Sequence, residues 1–165
     1  MERKLNKLTS RSFTGFTLIE VMVVLILLTL SFMVFLQALN TGKTVRSNSE
    51  LRTVQALILN SLQQEIRARK YDHNDSKPWS GVLGPESGES AISSFNDIDD
   101  FHQYAIASVD GNDAYSCFVE VSYVQAADGF QTEQSNPTDF KSVLVRVSHK
   151  TLPPLTDIMI ISSGF

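Results

Sequence analysis

Gly15-Phe16-Thr17-Leu18-Ile19-Glu20 runs directly into Val21-Met22-Val23-Val24-Leu25-Ile26-Leu27-Leu28. The longer run, Phe16 to Leu36, is 21 residues, broken only by Thr17, Glu20, Thr29 and Ser31. As a helix it is long enough to cross about 30 Å of hydrocarbon. A secretory signal peptide has a shorter apolar region, about 7–15 residues, ending at a small-x-small cleavage site. Here Gln37-Ala38-Leu39-Asn40 follows instead. An ordinary signal anchor would have the basic flank and the apolar run, but no use for Glu20. A carboxylate is costly in hydrocarbon, and a polar group at that depth has a task and a partner.

Charge is divided along the chain. Residues 1–15 hold Arg3, Lys4, Lys7 and Arg11 against Glu2, a leader of net +3, and the remainder is net −7 within a total of −4. A basic segment just before a span marks the cytoplasmic side, which places the bulk of the chain outside the cytoplasm. Lys43 and Arg46 weaken the asymmetry without reversing it. An acidic exported part gives no electrostatic support for nucleic-acid binding. Cys117 is the only cysteine, so no intrachain disulfide forms, and a small buried apolar role in a strand suits it best.

Residues 16–70 read as one helix of about 82 Å. No proline occurs between Met1 and Lys77, and Gly15 and Gly42 are the only glycines there. Residues 16–39 form the membrane-spanning half. Residues 40–70 form an amphipathic half, in which Leu51, Val54, Ile58, Leu62 and Ile66 make a stripe facing a core. Residues 71–165 form a head. Residues 71–94 are a polar connection pinned by Trp79 and Leu83. Tyr115–Gln125 alternates, with Cys117, Val119, Val121 and Tyr123 on one side. Lys141–His149 alternates with Val143, Val145 and Val147 inward, and Ile158, Met159, Ile160 and Ile161 follow Pro153-Pro154. Short connections favour an antiparallel meander over about residues 115–163. The expected core is Val54, Ile58, Leu62, Val119, Val121, Val143, Val145, Val147 and Ile160, in a two-layer α+β head.

The order of leader, Gly-Phe junction, Thr-Leu-Ile-Glu and apolar helix resembles type IV prepilins and type II secretion pseudopilins. Residues 11–30 carry the likeness. It implies a pilin-like α+β fold, with a long N-terminal helix, membrane-spanning in its first half, packed on a small antiparallel sheet. By resemblance, a prepilin peptidase cuts between Gly15 and Phe16, removes the 1–15 leader, and methylates the new amine of Phe16. Glu20, one helical turn on, then pairs with that amine within a chain or between neighbours and fixes register in assembly. Implied partners are other pilin or pseudopilin subunits, the peptidase and an inner-membrane assembly platform. The protein would be single-pass in the inner membrane, its head periplasmic before incorporation into a pilus or pseudopilus.

Residues 95–104, Phe95-Asn96-Asp97-Ile98-Asp99-Asp100-Phe101-His102-Gln103-Tyr104, are similar to a segment of minor pilins of the mannose-sensitive-haemagglutinin pilus type. That segment often ends in Tyr-His-Gly; Gln103 stands in place of the glycine. The missing C-terminal disulfide loop departs from major pilins. The leading reading is therefore a minor pilin of a type IV pilus, active in attachment or pilus biogenesis. The alternatives are a minor pseudopilin of a secretion or DNA-uptake machine, and a membrane-anchored periplasmic binding or enzymatic domain with a ligand pocket.

Asp97, Asp99 and Asp100 could offer oxygens to Ca²⁺, and some pseudopilins bind Ca²⁺ in their heads. The spacing is not that of an EF-hand loop. A capped turn, in which these side chains accept nearby backbone N–H groups, is the expected arrangement, without a metal. His73, His102 and His149 have no metal-ligand spacing. No nucleophile elbow, phosphate loop or dinucleotide fingerprint occurs, so no catalytic residue, cofactor or enzyme activity is expected.

Overall fold

The computed structural model describes residues 15–164. Helix α1 spans Leu18–Arg67, followed by strands β1 (Ala105–Ile106), β2 (Tyr115–Val124), β3 (Phe140–His149) and β4 (Leu155–Ser162). Two short 3-10 turns, Asp99–Phe101 and Ala126–Asp128, complete the elements. The chain divides into two compact units, one reaching to Arg46 and one beginning at Ser47. The basic residues of the leader lie outside the described residues.

The first unit is the N-terminal part of α1. Thr17 starts it: its Oγ1 accepts the N–H of Glu20 at 3.3 Å, and its carbonyl accepts that of Val21 at 3.2 Å. This satisfies one donor that a helix start leaves open. All described residues of this unit are exposed, and their most apolar 18-residue window has a mean hydropathy of 2.7. A helix apolar on every side and uncovered by its own chain needs lipid or other helices around it.

The second unit is an antiparallel meander of order β1-β2-β3-β4, covered on one face by the C-terminal part of α1. Register fixes the buried face. Cys117 pairs with Val147, Val119 with Val145, and Val121 with Val143. Val143 in turn pairs with Met159. All five of those inward valines are fully buried, as the strand alternation predicts. Phe95, Ile98 and Phe101 close one end, with Phe95, Phe101 and Tyr104 stacked edge-to-face at 5.0–6.0 Å.

Two parts of the expected core are corrected. Val54 is 39% exposed, whereas Ile58 and Leu62 are half-buried and pack against the rim of the core. The centre of the buried helix face is Gln55, Leu59, Gln63 and Ile66. The two glutamines turn the face, because their amides reach sheet acceptors that an apolar stripe would leave unmet. Gln55 Nε2 donates to the carbonyl of Val147 at 3.2 Å, and Gln63 Nε2 to Asp157 at 2.9 Å. In β4, Met159 is buried and Ile160 is 40% exposed. Four consecutive apolar residues carry no phase of their own; pairing with β3 sets it.

Residues 71–94 cross the sheet end without regular structure. Trp79 does pin them: it is buried, stacks edge-on against Tyr71 at 5.1 Å, and donates to Asp139 at 3.0 Å. Leu83 packs on the core. After the turn at Asp99–Phe101, Gln103 has φ +58°, in the left-handed region. Glycine enters that region freely, while other residues bear a cost of about 1–2 kcal/mol.

Candidate functional site

Two regions concentrate chemistry. At the start of α1, Gly15, Phe16 and Thr17 precede the helix and Glu20 sits in its first turn. Phe16 is 82% exposed. A Cβ added at Gly15 would meet nothing within 4 Å. The hydroxyls within the apolar run are satisfied by the helix itself. Thr29 donates to the carbonyl of Ile26 and Ser31 to that of Leu27, both at 2.8 Å. Among the described residues, nothing donates a hydrogen bond to the Glu20 carboxylate. The backbone N–H of Glu20 is used by Thr17, but its charge is not used by this fold. The Thr17-x-x-Glu20 spacing is a helix-capping signature that the sequence already contained.

The second region lies beneath the polar connection. Lys141, on β3, is fully buried. Its Nζ lies 2.7 Å from Asp99 Oδ1 and 3.4 Å from Asp72 Oδ2, and donates to the carbonyl of Tyr71 at 2.6 Å. The ammonium sits 4.4 Å from the Tyr71 ring centroid and 5.3 Å from that of Tyr123. Burial works against the charge of Asp72. The N–H groups of Ser80 and Asn74 and the Lys141 ammonium outweigh it, and hold the carboxyl below its ordinary value. The Tyr71 and Tyr123 phenols are pushed up by burial and by the same aspartates.

The three aspartates singled out from the sequence are divided. Asp99 goes to Lys141. Asp97 Oδ1 accepts the N–H groups of Asp99 at 3.0 Å and Asp100 at 3.3 Å. Asp100 Oδ2 accepts those of Asn96 at 2.7 Å and Asp97 at 3.1 Å. Together they build the turn at Asp99–Phe101. Burial, reinforced by Asp99, pushes the Asp97 carboxyl up to about 8, and burial also raises Asp100. Two further acids that the sequence did not single out, Glu86 and Glu89, stand beside Asp100. Burial and the neighbouring Glu89 push Glu86 up to about 7.

The remaining candidates separate. Cys117 is a free, buried thiol whose pKa burial raises to about 11. His102 Nδ1 accepts the N–H of Val121 at 3.3 Å, and His149 stacks on Tyr115 at 4.7 Å. His73 lies beside Glu86 and Asp97, distant from the other two in role. An open cleft of about 470 Å³ between α1 and β1 is lined by Leu57, Ile58, Leu62, Ile106 and Cys117, with Glu65 and Asp110 among its polar residues.

A family model of the prokaryotic N-terminal methylation motif matches residues 10–36. Neither a curated protein nor a solved structure matches the chain. The match covers the Gly15-Phe16 junction, Glu20 and the apolar run to Leu36. Proteins bearing the motif are structural subunits processed by prepilin peptidase, not enzymes. With an apolar N-terminal helix, that motif and a four-strand antiparallel sheet packed on the helix, the chain is a type IV pilin- or pseudopilin-like subunit.

Proposed function

We propose that the chain is a minor pilin of a type IV pilus, of the mannose-sensitive-haemagglutinin type. In this reading prepilin peptidase cuts between Gly15 and Phe16 and methylates the amine of Phe16. The observation that carries the reading is Glu20. Every hydroxyl of the apolar run has a partner in the helix, while the Glu20 carboxylate has none among the described residues. A charge left so at membrane depth has its partner outside the fold, and the α-amine of another processed subunit supplies one. The open space around Gly15 adds a second support. A residue without Cβ there leaves the bond to Phe16 open to a protease.

Residues 1–15 then act as the leader, 16–39 as the span and later the filament core, and 71–165 as the outward head. The inner membrane holds the subunit until assembly. A lone buried Cys117, in place of a disulfide loop, supports a minor rather than a major subunit. The test is mass spectrometry of the chain from membranes and from sheared filaments. A mature chain beginning at N-methyl-Phe16 in both fractions is expected. An intact Met1 in cells that possess the peptidase overturns the reading, and a processed chain absent from filaments moves it to a pseudopilus.

A further inference from the structure

Lys141 and Asp99 meet where water does not reach. Lys141 is fully buried, Asp99 is 1% exposed, and Lys141 Nζ lies 2.7 Å from Asp99 Oδ1. The Tyr71 and Tyr123 rings cover the nitrogen at 4.4 and 5.3 Å. A second buried carboxylate, Asp72, puts its Oδ2 3.4 Å from the same nitrogen. Asp72 is firmly oriented, because it accepts the N–H groups of Asn74 and Ser80 and the Ser80 hydroxyl. The far oxygen of Asp99, Oδ2, is buried and as a carboxylate has no donor on it; the same holds for Asp97 Oδ2. One proton on Asp97, shared between the two side chains, answers for both. Burial, reinforced by Asp99, pushes Asp97 up to about 8, so that proton is present at neutral pH. An ion pair needs neither the second carboxylate on the nitrogen nor an acid behind Asp99.

We propose that Lys141 and Asp99 condense to an intramolecular amide, with Asp72 as the base and Asp97 as the acid. The ammonium first passes one proton to Asp99 Oδ1, across their 2.7 Å contact, which leaves a neutral amine beside a neutral acid. Nζ then attacks Cγ of Asp99. The Asp97 proton stabilises the charge that develops on Oδ2. Asp72 Oδ2 takes a second proton from the nitrogen and hands it to Oδ1. The Cγ–Oδ1 bond breaks, and Oδ1 leaves as water with both protons. No electron donor or acceptor is needed, and Asp72 and Asp97 end as they began. In water the reverse reaction wins, because both ions are well hydrated. Burial strips that hydration from Lys141 and Asp99. Reactants held in contact also reach effective concentrations of about 10⁵–10⁸ M. The product exchanges two buried charges for one neutral amide. Its N–H faces the Tyr71 carbonyl that Nζ already uses, and its oxygen keeps the Asp97 proton.

The experiment weighs the full chain, taken from membranes in detergent and then denatured, by intact mass spectrometry. After allowance for its first residue and any N-methyl group, the wild type should be lighter than its sequence by one water molecule. Trypsin should leave the Lys141–Ser142 bond uncut and yield a branched peptide that joins the stretches around Asp99 and Lys141. Lys141→Arg and Asp99→Ala should both keep full mass. Asp72→Asn should leave about tenfold more of the chain unlinked, the lower end of what a positioned base contributes being larger still. The two wild-type readings need no variant, so the test stands if a variant fails to fold. A wild-type chain of full mass, cut by trypsin after Lys141, overturns the proposal. So does a water loss that maps to Asp110-Gly111 or Asp128-Gly129, where an aspartate can close on its own backbone. Equal linkage in Asp72→Asn and wild type overturns the role of Asp72 as the base.

Discussion

Lys141 Nζ lies 2.7 Å from Asp99 Oδ1, and neither side chain reaches solvent. With Asp72 at 3.4 Å, one cation faces two carboxylates inside the head. Such a site is stable only while every member is present, since a lone buried charge costs far more than an exposed one. Lys141→Met leaves two aspartates without their cation and should lower stability by about 3–5 kcal/mol. Asp99→Asn keeps Asp72 and the Tyr71 carbonyl on the ammonium and should cost less. Urea unfolding of both variants measures the order, and equal costs would show that Asp72 contributes nothing.

Asp72 gives the head an acid limit. Its folded carboxyl is held below the ordinary value, so the unfolded chain binds this proton more readily. The contribution is therefore fully present above the unfolded value, about 3.9, and is lost as pH falls through the depressed folded value. The slope of stability against pH below about 4 should flatten in Asp72→Asn. A slope unchanged in that variant would assign acid unfolding to other carboxylates.

Leu59 and Val54 separate the true helix face from the one an apolar stripe suggests. Leu59 is 5% exposed, so Leu59→Ala should cost about 2–5 kcal/mol. Val54→Ala should stay within about 0.5 kcal/mol, as surface changes do. Thermal unfolding of the pair decides it, and a reversal of the two effects would return Val54 to the core.

Glu20→Val should leave insertion and the fold of the head untouched, because it removes an insertion penalty and no described hydrogen bond of the side chain. Recovery in sheared filaments, compared with membranes by immunoblot, should fall severalfold. Equal recovery would mean that the carboxylate has no partner in assembly.

The α+β architecture and the N-terminal segment were legible because each rests on a local pattern. The apolar run, the alternation of Val143, Val145 and Val147, and the Thr-Leu-Ile-Glu string all declare themselves within a few residues. The helix face was placed to one side of its true centre, although Ile66 lies in that centre and Leu51, Ile58 and Leu62 pack on the core. The reason is long-range. Gln55 and Gln63 are polar, and only the sheet across from them shows why they point inward. The Lys141 site was half legible. Lys141 has the same parity as the inward valines, and Tyr123, directly across on β2, shares it. That parity places a charge in the core and demands partners, but Asp72 and Asp99 lie 69 and 42 residues away. Glu86 and Glu89 gave no sign, because a glutamate in an exposed connection ordinarily means nothing more than solvent.

In the pilus proposed above a subunit would work under tension, and the site around Lys141 would then set a route for force. The ammonium is held at once by the carbonyl of Tyr71 and the carboxylate of Asp72, just beyond the end of α1, and it belongs to β3. Load arriving along α1 can thus enter the sheet directly, across a link that joins residues 70 apart. The polar connection between residues 71 and 94 is spared from being drawn straight first. In a single-molecule pull on the chain ends, Lys141→Met should release that connection at lower force, ahead of the sheet. If the connection opens at the same force in both proteins, the link bears no load.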